Sequence, residues 1–416
     1  MTNPAPTIAV DLTPLLPGGE NGGAKAFTLT LLGALAAARP AARFELLTQA
    51  ASHEELAVLE GGNIRRVLAL GAGTTAFRSR VFAAASFAMR HSPIGLRTRV
   101  ARLGYRIHSL LKSGAGGLPD GVRADLLFCP FTAPAFHSPE RPTVCTVYDL
   151  QYVAYPQFFA VEDVVLRERA FSDAGRSATL LAAISDFARE SAIRHGKLEP
   201  ARVRTILLRM ARAGGTADAP ALLARLKLEP GAYLLYPANF WRHKNHEMLL
   251  TAFGLAASTL DVRIKLVFTG TEGSRQRAML EAARAMGLGG RIVHAGYLPG
   301  EEMHALMSAA GALVFPSLYE GFGLPVTEAM ALGVPVACSN TTALPEVAGD
   351  AALQFDPRKR EEVAAAIVSV MTDSSLRARL AQAGRERALE YIDTARMARE
   401  YWELFDEAMS RSAGRT

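Results

Sequence analysis

The chain is poor in cysteine and has no long uncharged apolar run. Its three cysteines, Cys129, Cys145 and Cys338, are too few and too widely spaced for a disulfide framework or a zinc motif, so we expect a reducing compartment. No stretch approaches the roughly 20 apolar residues that a membrane-spanning helix needs. Residues 1–8 also lack the basic and apolar regions of a signal peptide. These absences predict a cytoplasmic protein.

Acidic residues are missing from one long segment. Between Glu60 and Asp120 there is no aspartate or glutamate, whereas basic residues are frequent. The basic residues of this 65–112 stretch are Arg65, Arg66, Arg78, Arg80, Arg90, Arg97, Arg99, Arg102, Arg106 and Lys112. A long segment of one charge indicates an anionic partner.

Part of this segment has the periodicity of an amphipathic helix. Apolar residues recur at steps of three and four between Leu96 and Leu111, and arginines occupy the remaining faces. Such a helix can lie in the interface of an anionic membrane. The alternative is a core-packed helix whose arginines are solvated. The missing acidic residues favour peripheral docking on the inner face of the cytoplasmic membrane.

The composition is that of a packed globular protein. Hydrophobic residues make up 50% and charged residues 21% of the 416 residues, which excludes disordered, collagen-like and coiled-coil chains and allows two or three domains. Short apolar strands alternate with helical patterns, first from Thr7–Asp11 and again from residue 232, with a small flexible linker over residues 211–220. The predicted strands include Thr143–Val147 and Ala312–Phe315, and Ser185 is predicted to cap a helix. This alternation predicts an α/β fold with two doubly wound parallel sheets.

The sharpest motif is PSLYEGFGLPVTEA at residues 316–329, which follows a buried strand and enters a helix. Gly321 and Gly323 allow close backbone approach, and free amides at a helix start favour an anion. Glu320 lies in the loop and Glu328 lies about one turn into the helix. Two carboxylates beside such a site suit a ligand that combines phosphates with hydroxyls. The alternative is a strand–turn–helix corner with solvated glutamates.

This segment resembles the glutamate-pair motif of family 4 glycosyltransferases, in which the glutamates lie eight positions apart. Residues 236–250, 296–298 and 333–352 also resemble the family, and the N-terminal half does so more loosely, as at AISDFA (183–188). The resemblance implies the GT-B fold, two Rossmann-like domains that face each other across a cleft holding a nucleotide-sugar. We expect an acceptor-binding domain at residues 1–212, a nucleotide-sugar domain at 213–395, and a C-terminal helix at 396–416 that packs back toward the first domain.

The resemblance also implies roles for individual residues. Glu320 lies beside the donor sugar, Glu328 binds the ribose hydroxyls, and Lys244 pairs with the diphosphate in place of a metal. The other implied donor-binding residues are Gly22, Gly23, Asn239, Arg242, Tyr297, Gly321, Phe322, Gly323 and Leu324.

The chain departs from the family pattern at two positions. Asn239 stands where the family often has an arginine, and Arg242 either supplies that charge or is simply solvated. Tyr148 stands where the family usually has a histidine before Asp149. A tyrosine hydroxyl can still hydrogen-bond the sugar or the acceptor. Asp149 either binds acceptor hydroxyls or caps the loop, and both residues join Glu320 and Lys244 as predicted catalytic residues.

We therefore predict a retaining glycosyltransferase that needs no metal and no cofactor. No Asp-x-Asp pair follows a strand, and the histidines at 243, 246, 294 and 304 lack the spacing of metal ligands. The enzyme would move a hexose, with mannose as the candidate, from a nucleoside diphosphate sugar to a growing surface glycan or a lipid-linked acceptor. We expect no nucleic-acid partner.

Two alternatives stay open. One is another GT-B enzyme, either a nucleotide-sugar epimerase or a phosphorylase, and a phosphorylase would need a lysine that carries pyridoxal phosphate. The other is a non-catalytic subunit that binds sugar nucleotides, which the substitutions at Tyr148 and Asn239 favour.

Overall fold

The computed structural model describes residues 5–17, 22–71, 117–210 and 218–413. Its contacts divide the chain into two compact units, residues 1–209 with 394–416 and residues 210–393. The amphipathic helix predicted between residues 96 and 112 lies outside the described residues. Of the basic stretch, Arg65 and Arg66 are described, and each pairs with a carboxylate, Glu45 at 2.8 Å and Glu60 at 2.7 Å respectively.

The first unit contains a seven-stranded parallel sheet with the order β3-β2-β1-β4-β5-β6-β7. Its strands are β1 (Thr7–Asp11), β2 (Arg43–Gln49), β3 (Ile64–Leu70), β4 (Leu126–Cys129), β5 (Thr143–Val147), β6 (Leu180–Ala183) and β7 (Val203–Thr205). Every residue of β4, β5 and β6 is buried, so the centre of the sheet is covered on both faces.

Helices cover this sheet. The described helices of the first unit are α1 (Gly22–Ala38), α2 (Gln151–Ala154), α3 (Val161–Ser177), α4 (Asp186–Gly196) and the C-terminal Thr394–Ala413. As predicted, Ser185 caps α4, and its hydroxyl accepts a 3.0 Å hydrogen bond from the amide of Ala188. The C-terminal helix packs on α1, where the Trp402 indole N–H donates to the carbonyl of Leu35 at 3.1 Å.

The second unit contains a six-stranded parallel sheet with the order β10-β9-β8-β11-β12-β13. Its strands are β8 (Tyr233–Tyr236), β9 (Lys265–Phe268), β10 (Ile292–His294), β11 (Ala312–Phe315), β12 (Val336–Ser339) and β13 (Leu353–Phe355). Its helices are α5 (Ala219–Leu226), α6 (His246–Ala256), α7 (Ser274–Ala285), α8 (Gly300–Ser308), α9 (Leu324–Ala331), α10 (Leu344–Ala348), α11 (Arg360–Thr372) and α12 (Ser374–Ala388). The C-terminal helix of the first unit is then α13.

Both sheets are doubly wound, which confirms the predicted α/β class. In each sheet the strand order reverses at one place, between β1 and β4 in the first and between β8 and β11 in the second. In open α/β sheets, ligands bind beyond the carboxyl ends of the strands at such a switch point. The loops that follow these strands are therefore the places to look for a site.

The C-terminal segment, which the sequence predicts to be helical from Leu376 to about Ser410, consists of two helices, α12 and α13, separated by the short 3-10 turn Leu389–Tyr391. The turn buries the ring of Tyr391, whose hydroxyl donates to the carbonyl of Val347 at 3.1 Å. A continuous helix would give up these contacts. No helix within the described residues is long and apolar enough to cross a membrane.

Candidate functional site

The loops after β8 and β11 are joined at the switch point of the second sheet. The two strands are parallel neighbours, so both loops leave the same edge. The amide of Leu318 donates to the carbonyl of His243 at 2.8 Å, and the Asn245 side-chain amide donates to the carbonyl of Pro316 at 3.1 Å. These bonds bring Lys244, from the first loop, beside Glu320, from the second.

Lys244 and Glu320 form an ion pair at this point. The Lys244 Nζ atom donates to Glu320 Oε1 at 2.6 Å, and the two side chains are only 13% and 12% exposed. The Ser317 hydroxyl donates to the same carboxylate oxygen at 2.5 Å. Partial burial makes the pair stronger than a surface ion pair, because less water screens it. The site thus combines a cation and a carboxylate that both stay accessible to a ligand.

Backbone contacts fix the direction of Lys244. The Tyr236 hydroxyl, at the end of β8, donates to the Lys244 carbonyl at 2.5 Å. Burial raises the pKa of Tyr236 well above its usual range, so this hydroxyl keeps its proton. Asn245 follows with a φ of 62°, a left-handed conformation that asparagine adopts more readily than most residues. The lysine therefore projects from a rigid turn.

The glycine-rich turn after Glu320 depends on Gly323. Its φ is 108°, and a Cβ atom there would lie 2.6 Å from Cδ2 of Leu344, so a larger residue would clash. Helix α9 begins at the next residue, Leu324. Phe322 is buried and packs edge-on against Tyr391 with centroids 5.5 Å apart. Phe322 therefore anchors the turn by its ring, and only its backbone is available to a ligand.

Glu328 lies further along α9 and lines a cavity of about 150 Å³. Other lining residues are Met303, His304, Met307, Thr327 and Tyr391. The side chain of Glu328 is reached by solvent, yet dense protein around it limits the hydration of its charged form and raises its pKa to about 7. A carboxyl with this pKa changes its charge near neutral pH.

Three other predicted donor-binding residues lie at the same edge of the sheet. Asn239 Oδ1 accepts from the amide of Thr271 at 3.0 Å, so Asn239 links the loops after β8 and β9. Arg242 is exposed and has no carboxylate partner among the described residues. Tyr297 follows β10 and is 65% exposed, which leaves its ring free to stack on a planar group.

In the first unit, Tyr148 and Asp149 follow β5. The Tyr148 hydroxyl lies 3.4 Å from Thr28 Oγ1, and its ring packs edge-on against Phe27. Burial raises the pKa of Tyr148 far above its usual range, so it can share its proton in a hydrogen bond but does not act as a base at neutral pH. Asp149 Oδ1 accepts from the amide of Gln151 at 3.1 Å, which is the turn-capping role that the sequence allowed.

Gly22 and Gly23 form the start of α1 in the same unit. Gly22 has a φ of 52°, in the left-handed region. The structure therefore places this pair where the loop enters the helix.

Two residues of the site were missed from the sequence. Ser317 holds the carboxylate of Glu320, and the Thr342 hydroxyl accepts a 3.0 Å hydrogen bond from the amide of Glu320. Thr342 has a φ of 59°, which is unusual for a β-branched residue and indicates a constrained turn. Their place in the chain could have indicated them, because both residues lie in loops that directly follow adjacent parallel strands, β11 and β12.

The histidines near the site pack against or hydrogen-bond to neighbouring residues of the protein. His246 stacks on Phe240 with centroids 4.4 Å apart, and burial lowers its pKa to about 3. The His294 Nε2 atom donates to the carbonyl of Gly270 at 3.0 Å. Within the ranges that the structure covers, no group of three or more His, Cys, Asp or Glu side chains is arranged to hold a metal ion.

Comparison with known proteins shows which family the sequence of the second unit matches. Residues 224–387 match the family described as glycosyl transferases group 1. The chain is 33% identical over 252 residues to the O-antigen chain mannosyltransferase B of Escherichia coli, which covers 59% of this chain and 66% of that protein. It is 29% identical over 293 residues to the serotype-specific mannosyltransferase WbdA of Escherichia coli, covering 65% of this chain and 35% of WbdA.

The structural similarity to known proteins extends beyond residues 224–387. The crystal structure of Anabaena HepE in complex with UDP and glucose superposes with a TM-score of 0.69 at 18% identity, covering 97% of this chain and 100% of HepE. The two doubly wound sheets are therefore those of the GT-B fold, as predicted. Residues 224–387 form a group 1 glycosyltransferase domain. The chain spans less than two thirds of the length of both mannosyltransferases.

Proposed function

We propose that this protein is a retaining, metal-independent glycosyltransferase that transfers mannose from a nucleoside diphosphate sugar. The observation that carries the proposal is the Lys244–Glu320 pair, 2.6 Å apart at the switch point of the second sheet. A cation, a carboxylate and a helix start lie together where this class of sheet binds ligands. The family match covers all three features.

Lys244 is proposed to bind the diphosphate. An ammonium group has three N–H donors, so Lys244 can keep its bond to Glu320 and still donate to a phosphate oxygen. Because the side chain is largely buried, its charge is poorly screened and would stabilise the negative charge that develops on the departing diphosphate. The first amides of α9 would add partial positive charge on the same group.

The two glutamates are proposed to bind hydroxyls. Glu320 is held by Lys244, Ser317 and Thr342, so its carboxylate is oriented before a sugar arrives. Glu328 would accept hydrogen bonds from the ribose. The motif at residues 316–329 contains no obvious enzymic nucleophile, so we propose front-face displacement, with the leaving phosphate helping to deprotonate the acceptor.

Mannose is proposed because of the relatives' names. The relatives from Escherichia coli are mannosyltransferases of O-antigen and serotype-specific chains, and a third relative is the MMP alpha-(1->4)-mannosyltransferase of Mycolicibacterium hassiacum, 36% identical over 126 residues. We propose a glycan or lipid-linked acceptor of the same kind. HepE was crystallised with UDP-glucose, which supports a nucleoside diphosphate sugar as the donor.

A donor panel tests the proposal directly. The purified chain would be incubated with nucleoside diphosphate mannose, glucose and galactose donors, with and without oligomannoside acceptors, in excess chelator. We expect transfer from a mannose donor and a product with the anomeric configuration of the donor, measured by NMR. Donor binding without transfer or hydrolysis would favour a non-catalytic subunit, and conversion of one nucleotide-sugar into another would favour an epimerase.

Membrane docking is a separate proposal that rests on the sequence of the basic stretch. We expect the chain to sediment with anionic liposomes and not with neutral ones. Changing Arg97, Arg99, Arg102 and Arg106 to Gln should remove this binding. The attraction should weaken as the Debye length shrinks from about 10 Å at ~0.1 M salt to about 3 Å at ~1 M.

The matched control changes the same number of exposed arginines elsewhere. Arg263, Arg275, Arg358 and Arg360 have exposed side chains in the second unit. If their replacement by Gln weakens liposome binding as much, or if anionic liposomes do not bind the wild type, the docking proposal fails.

A further inference from the structure

The first unit contains an arginine-lined cavity at the opposite end of its sheet from Tyr148 and Asp149. Its volume is about 720 Å³, and four of its described lining residues are Arg141, Arg176, Arg202 and Arg411. The first three come just before strands β5, β6 and β7, so the cavity lies at the amino ends of the sheet. Tyr148 and Asp149 follow the opposite end of β5, which is about 13 Å away at ~3.3 Å per residue.

Two of these arginines are held by backbone carbonyls. Arg202 Nη2 donates to the carbonyls of Gly175 at 2.9 Å and Ala178 at 2.5 Å. Arg141 Nε donates to the carbonyl of Ala124 at 3.0 Å, and its Nη1 atom is buried without a hydrogen-bond partner. Neither guanidinium pairs with a carboxylate among the described residues. Their positions are therefore fixed while their charges stay uncompensated.

The other two arginines have one acidic partner each. Arg411 donates to Glu407 Oε1 at 2.7 Å, and Arg176 pairs with Asp173. A guanidinium has five N–H donors, so each pair leaves donors unused. Glu199 is the one acidic residue among the lining residues, and it is exposed. The cavity therefore holds more positive than negative charge.

Neutral donors complete the lining. Ser177, Thr179 and Ser412 bring hydroxyl groups. His137 also lines the cavity, and burial together with the charge of Arg141 lowers its pKa. A neutral imidazole adds no further repulsion to the guanidiniums and can still donate one N–H group.

We propose that this cavity is a second anion site, which binds a phosphate group. Arginines from four different segments line a space large enough for such a group, and the planar fork of arginine matches phosphate oxygens in pairs. A phosphate group carries up to two charges and several acceptor oxygens, which suits several arginines better than a single carboxylate does. The phosphate belongs either to a soluble metabolite or to a lipid headgroup, and the two sources share this chemistry.

Calorimetry with pyrophosphate at constant ionic strength tests the soluble source. The Lys244→Met background is used so that phosphate bound at the proposed donor site does not contribute. We expect one binding event that weakens at least tenfold in Arg141→Gln/Arg202→Gln. Because Arg141 and Arg202 also hold backbone carbonyls, the exposed Arg176→Gln/Arg411→Gln variant is measured as well, and it should weaken binding without lowering the melting temperature.

Sedimentation with phosphatidic acid vesicles, compared with phosphatidylcholine vesicles, tests the lipid source. The background carries Arg97, Arg99, Arg102 and Arg106 changed to Gln, so that the proposed docking segment does not contribute. Binding that is lost in the same arginine variants would assign the site to a headgroup. Arg194→Gln is the matched control, because Arg194 is an exposed arginine of the same unit that does not line the cavity. The proposal is overturned if neither pyrophosphate nor phosphatidic acid binds, or if the cavity variants bind as the control does.

Discussion

Replacing Lys244 with Met should reduce turnover by about 10²–10³-fold, the effect of removing one preorganised donor to developing charge. The buried half of the lysine side chain is retained by Met, whereas the charge beside the diphosphate is lost. Glu320 keeps its bonds to Ser317 and Thr342, so the loop should hold its conformation. The measurement is kcat with a saturating donor, together with a melting curve that shows an intact fold.

Lys359→Met is the matched control for this change. Lys359 is an exposed lysine of the second unit that pairs with Glu362 at 2.8 Å, so its loss removes a charge without touching the switch point. We expect its turnover to equal that of the wild type. The idea that a protein cation replaces a metal also predicts wild-type activity in chelator. Restoration of Lys244→Met by magnesium, or loss of wild-type activity in chelator, would contradict it.

Much of the fold could be predicted because buried parallel strands leave a strong local signal. The bounds Thr7–Asp11, Thr143–Val147 and Ala312–Phe315 agree with the structure residue for residue. These segments are short apolar runs between polar turns, which is how a strand covered on both faces appears in a sequence. The cap at Ser185 could also be predicted from local sequence, because a cap needs only a hydroxyl before a helical pattern.

Other strands and helices were missed because their signals are weak. Strand β3 carries two adjacent arginines, and β7 and β13 have three residues each. Helix α5 begins at Ala219, inside the predicted linker, because Asp218 caps it with a 3.1 Å bond to the amide of Ala221. A three-residue strand is defined by its neighbours in the sheet and not by its own composition.

The site was predicted residue by residue but not as an arrangement. Lys244 and Glu320 are 76 positions apart, and their contact depends on β8 and β11 being neighbours, which requires the strand order. The resemblance supplied both residues as separate donor contacts. It did not supply the ion pair between them, nor the part of Thr342 in holding the loop. These features arise from tertiary structure and leave no local pattern.

Glu328 should control the affinity for the nucleoside diphosphate. If its carboxylate accepts hydrogen bonds from the ribose, Glu328→Ala should weaken binding by about 1.5–3 kcal/mol, the range for hydrogen bonds to a charged group. Glu320→Ala is the matched comparison, because Glu320 is assigned to the sugar and should affect turnover more than nucleoside diphosphate affinity. Calorimetry with the nucleoside diphosphate measures both. Equal losses of affinity in the two variants would contradict the assignment.

The same binding should depend on pH because the pKa of Glu328 is raised to about 7. A raised carboxyl pKa means that the proton leaves late, so Glu328 is mostly neutral below this pKa and mostly charged above it. If the charged form binds the ribose, wild-type affinity should fall by up to about tenfold between about pH 8 and about pH 6. The phosphate of the ligand also titrates in this pH range. The Glu328→Gln variant removes the titration of Glu328 and keeps that of the ligand. The ratio of wild-type to Glu328→Gln affinity should therefore decrease with falling pH, and a constant ratio would show that Glu328 does not bind the ribose as a carboxylate.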